Sequence, residues 1–355
     1  MMASFFYASN GLFFLISDKI KDMKQEKGER KMAAFFQTIP GALILLVVGF
    51  VGLIKGADFF VEGASNVAKR FKVPSLIIGL TIVAMGTSLP ETAVSISASL
   101  AGSNSLAISN VSGSNLFNLL VVVGLCAILQ KVEVDQDTIK RDIPYSLLAA
   151  VLLIALGMTG GMELGRLDGI ILLAFFAFFL FLMIKSALKA MNNSEDDEEV
   201  TQSMLMSVIS IVGGAAAIAV GGDWVVDSAS TLALALGMTE TMVGLTIVAV
   251  GTSLPELVTS FVAARKGEVD MALGNAIGSN VFNILLVLGI ASSISPIAFV
   301  MSNAIDIAAV VAATLVCWAV AAKNKSLGKV MGIIMVASYF VYMIYVVMRE
   351  TGALM

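Results

Sequence analysis

The sequence predicts an all-α membrane protein, a ten-helix bundle made of two inverted five-helix repeats. Three observations carry this. First, 58% of the 355 residues are apolar and only 14% are charged, with a mean hydropathy of +0.94, whereas soluble domains run at about 45–50% apolar and about 25% charged. Second, the apolar residues fall into segments of roughly 20, the length that crosses a bilayer. Third, residues 56–124 overlay residues 221–289 without a gap. Composition argues against a soluble enzyme or a disordered chain. A net charge of -4 gives no reason to expect a nucleic-acid partner.

From residue 41 the polar breaks delimit helices near 41–64, 75–100, 105–129, 144–160, 168–186, 204–225, 240–263, 270–290, 301–322 and 328–348, with boundaries good to about ±4 residues. The excess of Lys and Arg on cytoplasmic loops orients them. With the start of the first helix outside, thirteen cations from Lys69 to Lys329 lie in inner loops, and only Arg166 and Arg349 lie outside. The chain is then a multi-pass protein of the cell membrane, the inner membrane in a bacterium, and the loop between the fifth and sixth helices is cytoplasmic. That loop carries Glu195-Asp196-Asp197-Glu198-Glu199, a like-charge block of the kind that forms a solvated linker. The expected organisation is a leader over 1–31, a first repeat over 32–190, an acidic linker over 191–203 and a second repeat over 204–355.

The leader fits poorly. Residues 3–17 are apolar but short of a span, and six cations follow between Lys19 and Lys31. The ten-helix topology places them outside, against the charge rule. The segment reads as a signal-like or interfacial leader, or as sequence upstream of a natural start at Met32; the charge conflict favours Met32.

Two absences limit the chemistry. There is no histidine, so histidine relays, histidine metal sites and Ser-His-Asp hydrolysis are excluded. The two cysteines, Cys126 and Cys317, lie in separate apolar runs and read as buried small residues. Any bound metal is therefore held by oxygen, which suits Na+, Ca2+ or Mg2+. An intramembrane enzyme would be left with a Ser-Lys pair or carboxylate-held Mg2+, and no lysine accompanies Ser88 or Ser253.

The repeat is strongest where the residues are polar. Gly79 to Glu91 and Gly244 to Glu256 are identical at twelve of thirteen positions, and Gly113-Ser114-Asn115-Leu116-Phe117-Asn118 matches Gly278-Ser279-Asn280-Val281-Phe282-Asn283 at five of six. A duplication serving packing alone would keep the apolar residues instead. Each half has five helices, an odd number, so the second half enters the membrane from the opposite side. That is the inverted arrangement of secondary transporters, with a site near the midplane.

In the second helix Pro90 removes a backbone donor and forces a kink. Thr87 and Ser88 supply hydroxyls and Glu91 the charge, and a four-residue spacing predicts that Thr87 and Glu91 share a face. Thr252, Ser253, Pro255 and Glu256 repeat this in the seventh helix. Ser114 with Asn118, and Ser279 with Asn283, place a hydroxyl and an amide oxygen on one face of the third and eighth helices. Two carboxylates, two amides and six hydroxyls make an oxygen cage of the size Ca2+ takes. Intramembrane carboxylates are costly and two facing ones repel, so the empty site resists crossing, which is the basis of obligatory exchange. Asp58 and Glu62, and Asp223 and Asp227, are expected as acids near the ends of the first and sixth helices, drawing cations or merely hydrated.

The paired Gly-Thr-Ser-Leu-Pro-Glu and Gly-Ser-Asn-x-Phe-Asn motifs resemble the α-repeats of Na+/Ca2+ exchangers, in the calcium/cation antiporter superfamily, over about residues 41–348. The resemblance implies a transporter and not an enzyme, without a cofactor, that exchanges Na+ for Ca2+ as substrates by alternating access; a monomer is sufficient for this. It implies an ion-binding core of the second, third, seventh and eighth helices, against which the first and sixth slide. By motif match Glu91 and Glu256 bind Ca2+ centrally. Thr87, Ser88, Thr252 and Ser253, with the carbonyls of Ala84 and Ala249, serve flanking Na+ sites. Ser114, Asn118, Ser279 and Asn283 complete the cage. Many relatives carry an acid where this chain has Asn283, which leaves stoichiometry and pH response open. The Gly-Asn-x-x-Glu motif of H+/Ca2+ exchangers is missing, since positions 113 and 278 are Gly. That favours Na+, with H+/Ca2+ antiport as the alternative. Sequencing the native amino terminus is expected to begin at Met32; recovery of Met1 would show that the leader is kept.

Overall fold

A computed structural model describes residues 38–100, 105–159, 161–193, 200–238, 247 and 249–350. The expected leader, the acidic run at 195–199 and most of the amino-terminal part of the seventh helix lie outside the described residues.

The described residues are mostly helical. Helix α1 covers Ile39–Arg70, opened by Thr38, whose side chain accepts from the Gly41 amide at 3.3 Å. Helix α2 is two pieces, α2a (Ser75–Thr87) and α2b (Leu89–Leu100). Helix α3 runs from Ser105–Phe117 through a wide π-turn at Asn118–Val122 to Val123–Leu129. Then come α4 (Thr138–Thr159), α5 (Arg166–Asn193) and α6 (Met204–Ala235). The described parts of α7 are α7a (Ala249–Gly251) and α7b (Leu254–Arg265). Helices α8 (Val269–Ile294), α9 (Met301–Asn324) and α10 (Lys329–Glu350) complete the chain. Eight of these are long and apolar enough to cross a membrane; α2 and α7 are the broken ones. Helices α1 and α6 extend beyond the expected ends, each to 32 residues. At about 48 Å they outreach the hydrocarbon core and must tilt. Helix α4 starts six residues early, and its first turn and a half carries the fully buried Asp142, met by Arg141 at 2.7 Å.

The inversion is visible in two short strand pairs. Strand β1 (Val132–Glu133) pairs with β4 (Ser326–Leu327), and β2 (Glu163–Leu164) with β3 (Ile297–Ala298), both antiparallel. By the repeat offset of 165, β1 corresponds to β3. Each pair therefore joins non-equivalent loops of the two halves. That requires equivalent loops to lie on opposite faces, which an odd helix count produces.

Helices α3 and α8 form the centre. They are buried along 83% and 78% of their apolar stretches, against 17% for α10. The periphery faces outward with residues such as Val47, Val51, Phe181, Ile333 and Val341, as apolar solvent demands. Side-chain ties hold the outer helices: Arg349 donates to both oxygens of Asp306 at 2.8 and 3.1 Å, and Trp318 donates to the Ile139 carbonyl at 2.7 Å.

Helices α1 and α6 meet along a seam of glycines. A Cβ on Gly49 would stand 2.9 Å from the Gly221 carbonyl, and one on Gly56 2.9 Å from that of Gly214. Gly49 and Gly56 map onto Gly214 and Gly221 by the repeat, so the contact is reciprocal. Small residues let backbones approach where lipid offers no hydrophobic drive between helices. In the second half of α1, Lys266 donates to the Asp58 carbonyl at 2.8 Å and Gln202 to Glu62 at 2.8 Å. Ser65 and Ser75 both donate to Glu268. Asp58 and Glu62 thus sit well inside α1 and are partnered by neighbouring segments; they are neither at the helix end nor simply hydrated, as the sequence suggested. Gly56→Val and Gly214→Val are each expected to destabilise by about 1–3 kcal/mol through overpacking, read as a lower thermal midpoint in detergent, while Gly213→Ala, with open space around it, leaves the midpoint unchanged.

Candidate functional site

The glutamates stand at helix breaks. The wide turn Gly79–Val83 leads into Ala84–Thr87, and helical geometry then fails at Ser88, with φ -86° and ψ 3°. Ser253 has φ -97° and ψ 5° at the matching place in α7. Each helix restarts one residue later with proline at its second position, where a missing N–H costs nothing. The sequence led us to expect a kinked but continuous helix with Thr87 and Glu91 one turn apart on one face. The break lies between them, so they belong to separate segments and the break itself brings them to the site. Ile247 repeats the wide turn of its counterpart Ile82. Such π-turns cluster at functional positions in helices.

Around these breaks the predicted residues converge. Glu91, Thr87, Ser88, Ser114, Asn118, Ser253, Glu256, Ser279 and Asn283 are all at most 1% exposed. Thr252 is half-buried, and Ala249 opens the three-residue α7a. Ser88 of the first half, three residues before Glu91, donates to Glu256 Oε1 of the second at 3.1 Å. Thr87 Oγ1 lies 3.1 Å from Asn275 Oδ1 and 3.5 Å from Ser279 Oγ. The Ala84 carbonyl receives the Ser88 amide at 3.0 Å and lies 3.3 Å from the Thr87 hydroxyl.

Seven buried oxygens of the predicted set have no hydrogen-bond partner among the described residues: both of Glu91, Glu256 Oε2, Ser114 Oγ, Ser253 Oγ, Asn118 Oδ1 and Asn283 Oδ1. An unpartnered buried oxygen costs about 1–3 kcal/mol, more when charged. They come from α2, α3, α7 and α8, and they are all oxygens, five of them on carboxylates or amides that can only accept. Their chemistry fits a dehydrated cation.

Several residues here escaped the sequence reading. Asn275 donates to Ser260 Oγ at 2.9 Å and to the Glu256 carbonyl at 3.4 Å while lying beside Thr87. Asn115 and Asn280 bridge the halves. Ser95 and Thr259, one turn beyond the glutamates, are buried without hydrogen-bond partners among the described residues. The signal for the asparagines was present, since Asn110 and Asn275, like Asn115 and Asn280, are identical across the repeat. Cys126 and Cys317 are free and buried, as expected.

This geometry has known counterparts. The family model described as sodium/calcium exchanger protein matches residues 41–185 and 206–348. The chain belongs to the sodium/calcium exchanger family. It is 35% identical over 319 residues to the inner membrane protein YrbG of Escherichia coli, covering 85% of this chain and 95% of that one. It is 36% identical over 291 residues to the sodium/calcium exchanger MaX1 of Methanosarcina acetivorans, covering 72% and 83%. Among solved structures, the sodium-calcium exchanger NCX_Mj soaked with Na+ and Sr2+ superposes with a TM-score of 0.76 at 32% identity, covering 86% of this chain and 98% of that one. The same exchanger soaked with zero Na+ and Ca2+ gives 0.75 at 31% identity, covering 87% and 100%. The ten-helix inverted-repeat fold of a multi-pass membrane transporter is thus this family's and this chain's. In ion-free protein Glu91→Gln is expected to raise the thermal midpoint by several degrees, because it removes an unpartnered buried charge; a midpoint lowered by the substitution would show that Glu91 is already satisfied.

Proposed function

We propose that this protein exchanges Na+ for Ca2+ across the membrane by alternating access, with Glu91 and Glu256 as the central Ca2+ ligands. The observation that carries the reading is the set of seven unpartnered buried oxygens contributed by both halves, those of Glu91 and Glu256 among them. Two carboxylates neutralise one Ca2+. Ser114, Asn118, Ser279 and Asn283 supply uncharged oxygen around it. Thr87, Ser88, Thr252 and Ser253, with the carbonyls of Ala84 and Ala249, serve the flanking Na+ positions.

The coupling follows from charge. A site holding two bare carboxylates at mid-membrane repels itself and has lost its water. Moving it between the two faces without cations carries a barrier that bound cations remove, so exchange is favoured over leak. The pseudo-symmetric breaks in α2 and α7 give the site two equivalent exits, and the close glycine seam between α1 and α6 ties them into one unit that slides against the core of α2, α3, α7 and α8. Na+ is the coupling ion in this reading, since the Gly-Asn-x-x-Glu motif of H+/Ca2+ exchangers is missing, with Gly at 113 and 278.

We place the amino-terminal end of α1 outside and the α5–α6 loop in the cytoplasm, on the Lys/Arg asymmetry. The relative YrbG is named an inner membrane protein, in keeping with a cell-membrane location here. All the proposed ligands come from one chain, so a monomer suffices and the only surroundings needed are the lipid bilayer.

Proteoliposomes loaded with Na+ are expected to take up radiolabelled Ca2+ and to stop when the Na+ gradient is dissipated. Uptake driven by a pH gradient alone would instead assign H+/Ca2+ antiport. Glu91→Gln and Glu256→Gln should each cut Na+-driven uptake by about 100-fold or more, the effect of removing one partner from a buried charge cluster, in protein that still elutes as a single species. Wild-type uptake in both variants would remove the two glutamates from the ion path.

A further inference from the structure

Four asparagines cross the interface between the halves in a reciprocal pattern. Asn115 Nδ2 donates to the Asn280 carbonyl at 3.1 Å, and Asn280 Nδ2 to the Asn115 carbonyl at 3.1 Å. Asn283 Nδ2 donates to Asn115 Oδ1 at 3.2 Å, and Asn118 Nδ2 to Asn280 Oδ1 at 3.3 Å. Asn115, Asn118 and Asn283 are fully buried and Asn280 is 3% exposed. All four lie on α3 and α8, the central helices.

The logic runs in one direction. A backbone carbonyl only accepts. Whichever amide faces the Asn280 carbonyl must therefore present its NH2 group, which decides the orientation of Asn115. The oxygen of Asn115 then points to Asn283 and accepts only a donor. That decides the orientation of Asn283: its NH2 is used across the interface and its oxygen is turned away, where it has no partner among the described residues. The mirror chain runs from the Asn115 carbonyl through Asn280 to Asn118, whose oxygen is likewise unpartnered. An amide has a negative and a positive end of nearly the same shape, so sterics alone do not choose between them. A cation attracts one end and is repelled by the other.

We propose that Asn115 and Asn280 are positioning residues that lock the amides of Asn283 and Asn118 with their oxygens toward the transported cation. Each half thereby orients the ligand supplied by the other. The lock also explains why an amide suits position 283 in this chain: an ionised carboxylate there would set acceptor against acceptor at Asn115. The proposal rests on the reading of Asn118 and Asn283 as ion ligands and adds the residues that aim them.

The test measures Ca2+ affinity by calorimetry on purified full-length protein in detergent, and turnover by Na+-driven Ca2+ uptake in liposomes. Asn115→Ala frees the Asn283 amide to rotate. It is expected to weaken Ca2+ binding about tenfold, the effect of one buried hydrogen bond, with maximal uptake within about twofold of wild type. In an Asn283→Asp background both ends of the side chain are oxygen and no orientation is left to lock. There Asn115→Ala should carry no penalty, or improve binding by removing the facing acceptor. The pattern is crossed: Asn118→Asp suppresses Asn280→Ala but not Asn115→Ala. Equal penalties in all backgrounds would mean that the asparagines are merely structural, and would overturn the lock; so would an Asn283→Asp protein that binds no Ca2+. If Asn115→Ala does not elute as a folded species, Asn115→Ser, which keeps a polar group too short to reach Asn283, replaces it, and the Asn280 arm reads the same mechanism independently. Failure of the underlying reading has a separate signature: Ca2+ binding that Glu91→Gln leaves unchanged.

Discussion

Two carboxylates buried in a membrane interior, with no counter-charge beside them, set the terms for the rest of this structure. Neither Glu91 nor Glu256 has a Lys or Arg within salt-bridge distance among the described residues. Glu256 has one hydroxyl from Ser88 and Glu91 has no hydrogen-bond partner there. In hydrocarbon such groups persist only where something else meets their charge. The helix breaks, the wide turns and the surrounding ring of hydroxyls and amides become intelligible as the housing of one positively charged occupant. The basic residues, by contrast, are paired elsewhere: Arg141 with Asp142, Lys266 with Asp58 and Arg349 with Asp306.

The inverted repeat supplies that housing economically. One five-helix half presents a carboxylate, a hydroxyl and an amide from one side of the membrane, and its copy presents the same set from the other. The halves then hold each other through the reciprocal asparagines at the centre and through β1–β4 and β2–β3 at the two faces. The symmetry is not complete. Ser88 reaches Glu256, whereas Ser253 Oγ has no partner among the described residues. Lys266 and Glu268 bind the second half of α1, while the residues at their counterpart positions in the repeat are the uncharged Ala101 and Ser103. A symmetric transporter needs some such inequality if one face is to be closed while the other is open.

Much of this was legible in the chain. Span length gave ten helices, and an odd-numbered duplication gave the inversion. The best-conserved stretch between the halves was polar, which pointed to Glu91, Glu256, Ser114, Asn118, Ser279 and Asn283 as one site. What was misread had local causes. Pro90 and Pro255 predict kinks, yet each sits in the first turn of a new helix, and the break falls earlier, at Ser88 and Ser253. Asp58 and Glu62 were placed near a helix end because α1 continues past the expected boundary, and their partners Lys266 and Gln202 are more than 135 residues away in sequence.

By itself the sequence determined which groups must leave water and which could not be left alone there, because hydropathy and charge are properties of residues. It also determined that the two halves are opposed, because parity is a count. Only the tertiary structure decided which oxygens remain unpartnered and which way each amide faces. Those depend on donors from the opposite half, brought within about 3 Å by helix packing, and no local pattern in one half records the position of the other.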